Sequence, residues 1–259
     1  MRTRIAAPVL AGALALGALA APAAFAANAA PTIDKVSVPS LVFGPQGNNT
    51  FSFSSTVSSA SGIKSVQLLP WPKFLETQLG STPGVSDVKD PSNPKVTCKA
   101  SSATTSVCTD AELLNSHTDL GDNVAAGVWY AAVLVTANDG TTTFNPKATS
   151  FSFRRQSVVT VDAAPEPVMK NATLTVTGHL SLADWSTGGW RRYGAQTVQL
   201  QFRKSGATTY TTLKSVTTSS TGELKTTVKA TDSGFWRYVY AGNSLVAPST
   251  AAVDGVAVK

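Results

Sequence analysis

Late in the chain stands the run Asp232-Ser233-Gly234-Phe235-Trp236-Arg237-Tyr238-Val239-Tyr240. Side chains alternate between faces along a strand, so Trp236, Tyr238 and Tyr240 fall together on one side. A polar turn leads into that strand, and three large rings on one face require an opposing apolar layer. Almost nothing in the sequence has a helical period, so the opposing layer is a second sheet. A similar run, Gly127-Val128-Trp129-Tyr130-Ala131-Ala132-Val133-Leu134-Val135, stands roughly one sandwich domain (about 100 residues) earlier. The reading is all-β, with two β-sandwiches in series.

The first residues stand apart from this pattern. Arg2 and Arg4 open the chain, Ile5 to Leu19 is an apolar run, and Ala24-Phe25-Ala26 has the small-x-small form of a cleavage site. Residues 1–26 therefore read as a cleaved signal peptide, with a secreted, extracellular product and no membrane insertion. No cysteine follows the cleavage point, so no lipid anchor is expected there. The domain boundaries expected from the pattern are 27–155 and 156–259, with the junction near Arg154 to Ser157.

Within the first half, Ile33 to Val38, Thr50 to Ser54, Ile63 to Leu68, Gly127 to Thr136 and Thr141 to Phe153 read as strands. The period slips by one after Ile63, which predicts a bulge. Asn138-Asp139-Gly140 predicts a hairpin turn. Residues 70–94 hold Pro70, Pro72, Pro83, Pro91 and Pro94 and read as a long Pro-rich loop or irregular edge, with Trp71 and Phe74 pinning it to the body. Asp110 to Leu120 reads as a short helix with Asp110 as its cap. Two cysteines, Cys98 and Cys108, sit on two arms of a short hairpin, and an even count in an exported chain predicts a disulfide between them.

The second half repeats the plan. Strands are expected at 157–161, 172–177, 197–202, 210–216, 223–229, 235–240 and 251–258, spaced by turn signals. Residues 172–259 resemble the immunoglobulin-like modules of secreted actinomycete proteins, a resemblance carried by Val198-Gln199-Leu200-Gln201-Phe202-Arg203, by Thr221 to Ala230, by Gly234-Phe235-Trp236-Arg237-Tyr238 and by Tyr240-Ala241-Gly242-Asn243. Residues 31–155 resemble bacterial immunoglobulin-like domains in a generic way. The resemblance implies two immunoglobulin-like sandwiches and no assigned activity. Members of that group often carry a calcium-binding label, which implies calcium as a candidate ligand. Asp232, Gly234 and Trp236 resemble the structural corner of such domains.

Charge narrows the partners only slightly. Residues 27–156 carry nine basic and nine acidic residues, and residues 157–259 carry ten and six. The whole basic excess lies in the second half, which suits an anionic cell-wall polymer or glycan as neighbour and equally a plain solvated surface. Nucleic acid is not an expected partner, and the sequence names no oligomeric state.

Enzyme chemistry finds little to stand on. His117 and His179 are the two histidines and fall in different halves. Nucleophile-elbow, phosphate-loop and dinucleotide patterns are absent from the sequence. For calcium, Asp119 and Asp122 offer two carboxylates before the Gly127 strand, where calcium wants six to eight oxygens; turn-forming aspartates explain them as well. The most unusual stretch is Asp184-Trp185-Ser186-Thr187-Gly188-Gly189-Trp190-Arg191-Arg192-Tyr193. It reads as the loop between the second and third strands of the second sandwich. Trp185, Trp190, Arg191, Arg192 and Tyr193 are the candidate binding residues, since aromatic rings stack on sugars and arginines hold anions. The alternative is that a tryptophan caps the core. Strand order adds a further expectation: this loop lies at the end where the linker arrives, so at least one of its tryptophans meets the junction.

The favoured function is a secreted, non-enzymatic binding or structural protein of the cell envelope or extracellular space. The alternatives are a calcium-binding extracellular protein and an accessory module of an uncharacterised hydrolase. The leader reading makes a first prediction: the exported protein begins at Ala27, and N-terminal sequencing of secreted material that returns Met1 refutes it.

Overall fold

The computed structural model describes residues 29–259 apart from 91 and 94. The expected leader, residues 1–26, lies outside the described residues, as do Pro91 and Pro94. Among the described residues no helix is long and apolar enough to cross a membrane.

The chain is all-β and forms two β-sandwiches in series. The first contains β1 (Thr32–Ser37), β2 (Leu41–Phe43), β3 (Asn48–Ser58), β4 (Ile63–Pro72), α1 (Lys73–Leu79), α2 (Val85–Val88), β5 (Thr97–Ala100), β6 (Thr105–Asn115), β7 (Gly127–Ala137) and β8 (Thr142–Arg155). One sheet runs β1-β3-β6-β5 and the other β2-β8-β7-β4, with β2 parallel to β8. Alternation fixes the faces: Phe51, Phe53 and Val57 point inward from β3 and meet Leu68, Val133, Phe151 and Phe153 from the facing sheet. The bulge expected after Ile63 is present, as the β4–β7 register shifts between Ile63 and Ser65. The turn at Asn138 to Gly140 closes β7 onto β8, with Asp139 Oδ1 accepting from Thr141 N at 2.9 Å.

The second sandwich contains β9 (Ser157–Val159), β10 (Asp162–Ala164), β11 (Thr173–Asp184), β12 (Gly189–Arg192), β13 (Thr197–Lys204), β14 (Thr211–Thr217), β15 (Glu223–Lys229), β16 (Gly234–Tyr240), β17 (Ser249–Thr250) and β18 (Asp254–Val256). β9, β10, β12 and β15 all pair with the long β11, and the facing sheet runs β14-β13-β16 with β17 and β18 on the far side. Trp236, Tyr238 and Tyr240 are buried together against Leu174, Val176 and Leu224. Burial pushes the Tyr238 phenol up, and its hydroxyl crosses the core to donate to Val176 O at 3.1 Å. Gly178 is required by a close approach: a Cβ there would collide with the carbonyl oxygen of Thr160, where the chain crosses β11 between β9 and β10.

Cys98 and Cys108 lie directly opposite each other on β5 and β6 and are bonded. Cys108 is buried in the first core, so the bridge ties the edge strand to the packed interior.

Three expected elements differ, besides the strand expected at 251–258, of which only Asp254–Val256 is formed. The Pro-rich segment is not a loop at its start: β4 continues through Pro72, and α1 and α2 follow. β4 is an edge strand, where proline costs no ladder bond. The helices rest on the outer face of β4 and β7 and bury Trp71 and Val88 against Ala132 and Leu134 in a small satellite core. Trp71 donates to Pro146 O at 2.8 Å, and Lys147 stands over the rings of Trp71 and Tyr130 while pairing with Glu76. Secondly, Asp110 to Asn115 belongs to β6, and only Ser116–Leu120 coils, as a single π-helical turn. Strand pairing to β3 overrides the local helical composition, because β3 runs its full length along β6. Thirdly, residues 184–193 are not all loop: β11 runs to Asp184, and β12 folds back on it after the turn at 185–188.

The β6 register has an electrostatic consequence. Asp110 stands opposite Phe53 and Glu112 opposite Phe51, which puts both carboxylates on the inner face. β5 ends its pairing at Thr109, so they occupy an open edge, where inward charges discourage pairing with another chain. Burial raises the Asp110 carboxyl above its ordinary value, and burial followed by repulsion from Asp110 raises Glu112. A carboxyl raised in the fold favours the folded state fully below its unfolded pKa, and that contribution is lost as pH climbs through the folded value. Asp110→Asn is therefore expected to raise the melting temperature at neutral pH, with the gap to wild type closing on acidification. A gap that widens in acid refutes the assignment.

Candidate functional site

Residues 184–193 form the hairpin that joins β11 to β12, and its two tryptophans go to opposite places. Trp185 lies in the turn. It is 0 % exposed and packs with Ala183 into the core of the first sandwich, not the second. Its ring meets Phe43 edge-on at 5.9 Å, Phe43 meets Phe153 at 5.2 Å, and Phe153 meets Trp129 at 4.9 Å. The turn is gripped by polar groups of the first sandwich. Asn123 Oδ1 accepts from Trp185 N at 3.0 Å, while Asn123 Nδ2 donates to Asp184 Oδ1 and to Ser186 Oγ, each at 2.7 Å. His117 Nδ1 sits 2.6 Å from Trp185 O, and Gln46 Nε2 donates to Gly188 O at 2.8 Å. Gly188 has φ 68°, a backbone conformation that favours glycine, and the Gln46 side chain lies directly against it. The hydrogen bond from Asn123, helped by Ser186 and the guanidinium groups of Arg191 and Arg155, holds the Asp184 carboxyl below its ordinary value.

The linker is equally confined. β8 ends at Arg155 and β9 begins at Ser157, so Gln156 alone lies between the sandwiches. Arg155 is 7 % exposed; its Nε donates to Ala183 O at 2.6 Å. Its backbone N–H donates to Leu245 O and its carbonyl accepts from Ala247 N, both at 2.9 Å. Leu245 also reaches Gly127 at the start of β7, and together with Phe74 of α1 it lines a hollow of about 250 Å³ at the junction.

Trp190 takes the other side of the hairpin. In antiparallel pairing, residues opposite each other share a face. Trp190 pairs with Ala183, Arg192 with Ser181, and Ser181 with Val158 on β9. Val158, His179, Ser181, Trp190 and Arg192 thus line one groove of about 480 Å³ on the outer face of the sheet, with Trp190 48 % exposed. The groove continues into a hollow of about 520 Å³ that shares His179 and Arg192 and adds Asp162, Glu223 and Lys225. Both are within the size of small-ligand sites, roughly 300–1,000 Å³. Burial, then the charge of Arg192, lowers the pKa of His179, so its ring is neutral at neutral pH; Nδ1 lies 3.1 Å from Thr160 Oγ1.

Of the five candidate binding residues, then, the fold brings Trp190 and Arg192 together. Trp185 is enclosed at the junction, where no ligand reaches it. Arg191 shares its face with Leu182. Tyr193 packs edge-on to Tyr240 at 6.1 Å and accepts from Asn243 Nδ2 at 3.1 Å. His179, Ser181 and Val158 join the groove through the pairing of β9, β11 and β12; the signal for it in the sequence is the Thr187-Gly188 turn, which sets the register. The aspartates offered for calcium are used locally. Asp119 accepts from Asn115 N at 2.7 Å, and Asp122 Oδ1 caps the short turn after it by accepting from Val124 N at 3.1 Å. Among the described residues no group of three or more histidines, cysteines or acidic residues is placed to hold a metal ion.

Residues 42–135 match the model of a family described as a family of unknown function (DUF5707). No curated protein matches the sequence. Among solved structures, the chain is similar to the fibronectin(III)-like modules of CbhA from Clostridium thermocellum, at 15% identity over 88% of this chain and 92% of that one, with a TM-score of 0.36. It is similar also to the full ectodomain of mouse nectin-like molecule 4 (12% identity, 88% of this chain, 65% of that one, TM-score 0.26) and to the Escherichia coli adhesin FdeC (15%, 86%, 63%, 0.31). At such identities and scores these likenesses carry nothing about ligand or partner.

Proposed function

We propose that this chain is a secreted, non-enzymatic binding or structural protein of the cell envelope or extracellular space, built as one stiff unit of two domains, 27–155 and 156–259. The observation that carries this reading is Trp185: a side chain from the second sandwich completes the core of the first. A full tryptophan surface of roughly 150–250 Å² at about 25 cal/mol per Å² stabilises the junction by on the order of 4 kcal/mol. With a one-residue linker, such a junction makes a spacer that holds a surface at a fixed distance and angle, which is work for a structural or binding module.

The histidines and cysteines are engaged in structure. His117 holds the Trp185 carbonyl, His179 is tied to Thr160, and both cysteines are in the disulfide. No observation favours the calcium-dependent version over this one.

Trp185→Ala in the full chain tests the reading. The substitution is expected to destabilise the protein by about 3–5 kcal/mol, as truncation of a fully buried tryptophan does. Small-angle scattering should show a broader distribution of interdomain distances. Wild-type protein should be retained on isolated cell walls. Unchanged melting and scattering in the variant would refute the stiff unit, and absence of retention would refute the binding role.

A further inference from the structure

We propose that the groove on the outer face of β11 and β12 binds an acidic glycan, with a pyranose ring stacked on Trp190 and its anionic substituent held by Arg192. This deepens the reading of the chain as a binding module and rests on it. The argument starts from what the fold leaves exposed. A tryptophan this open to water on a paired strand is uncommon, since folding gains most by enclosing so large a ring. Its twin in the same hairpin, Trp185, is fully enclosed, and Trp190 stays exposed even though Ala183, opposite it in the register, is buried in the first core.

Charge then selects the ligand. Arg192 is the one formally charged residue in the first hollow; it also borders the second, where Asp162 and Glu223 are the acidic residues and Lys225 a further cation. The two ion pairs of the described residues are Lys147–Glu76 and Lys204–Asp232, so Arg192 is in neither and its guanidinium fork is open to a carboxylate or phosphate. His179 beside it is neutral, and with one ring nitrogen against Thr160 the other is left for a sugar hydroxyl. Asp162, Glu223 and Lys225 give the second hollow the acceptors and donors that a neighbouring sugar's hydroxyls need. The apolar lining of the first hollow is limited to Val158 and Trp190, interleaved with polar groups. That is one stacking platform, too small for the central apolar cluster of a protein interface. The platform is also pre-organised, because the turn next to it is gripped by Asn123, His117 and Gln46 of the first sandwich.

Titration calorimetry on the full exported chain tests the site. Trigalacturonate supplies a carboxylated ring and glucose 1-phosphate a phosphorylated one, which separates the two sources of the anion. Maltotriose supplies the ring without charge, and inorganic phosphate the charge without the ring. At least one acidic sugar is expected to bind about tenfold or more tightly than either control, and Trp190→Ala and Arg192→Gln should each weaken it by about tenfold. Arg191→Gln, on the opposite face, should bind as wild type does. Both weakened residues are exposed, so melting temperatures should be unchanged. In wild type, the Trp190 indole N–H resonance should move on sugar addition, a readout that needs no variant.

Binding no stronger than to maltotriose or to inorganic phosphate, or equal binding by Trp190→Ala and Arg192→Gln, overturns the proposal. A loose scattering profile with sugar binding intact overturns the stiff unit and leaves the groove. A stiff profile with no sugar binding does the reverse.

Discussion

Trp185 is a residue of the second sandwich by sequence and of the first by packing. Its ring closes the end of an aromatic series that runs through Phe43 and Phe153 to Trp129. Protein interiors are packed at crystal-like density, so a ring inserted at the end of a core constrains the position of the sandwich that carries it. The hydrogen bonds around it then fix rotation. Asn123 uses both ends of its amide on three consecutive residues, 184 to 186. Arg155 anchors the other side through its backbone to Leu245 and Ala247. Two separated points of attachment and a one-residue linker leave no axis for a hinge. The buried Nη2 of Arg155 has no partner, and burial lowers the guanidinium pKa. Arginine still stays charged, because its intrinsic pKa is so high. That desolvated charge is the cost of joining the sandwiches here, and Asp184 offsets part of it.

The same economy of edges shapes the first sandwich. Its outer sheet face carries Trp71, Tyr130, Ala132 and Leu134, too apolar to be left in water, and the insertion after β4 covers it with α1 and α2. The opposite sheet ends at the half-paired β6, where Asp110 and Glu112 point inward. An apolar face is thus covered and an open edge guarded by charge. Lys147 links the covered face to the insertion by pairing with Glu76 while resting on two rings.

How much of this the sequence discloses depends on the distance over which each cause acts. Alternation within a strand is local, so Phe51 and Phe53, or Trp236, Tyr238 and Tyr240, declare their buried face directly. The disulfide, the Asn138 to Gly140 turn and the bulge after Ile63 are local as well. The helix expected at 110–120 failed because β6 is set by pairing along the whole of β3, a partner about 60 residues away, which outweighs local propensity. The Pro-rich segment was hidden for a related reason: prolines forbid a central strand yet suit an edge, and edge position is a property of the sheet. At the hairpin, composition marked the stretch 184–193 as unusual. It could not divide two tryptophans, two arginines and a tyrosine among the junction, the groove and the core, since that division needs the register.

Register is also what makes the hairpin's two roles compatible. Along β11 the even positions Leu180 and Leu182 enter the second core, and the odd positions His179 and Ser181 face out. β12 inherits that order, so Trp190 and Arg192 share the outer face while Arg191 does not. A slip of one residue in the β11–β12 pairing would exchange every side chain between faces. It would present Arg191 to the groove and press Trp190 and Arg192 toward Leu182. The slip is blocked from outside the hairpin, because Gln46 holds Gly188 and Asn123 holds residues 184 to 186. The first sandwich therefore sets which ring of the second is enclosed and which is presented. The turn that Gln46 and Asn123 hold thus lies at once beside the groove and at the contact between the two sandwiches, which ties the position of Trp190 to the interdomain geometry.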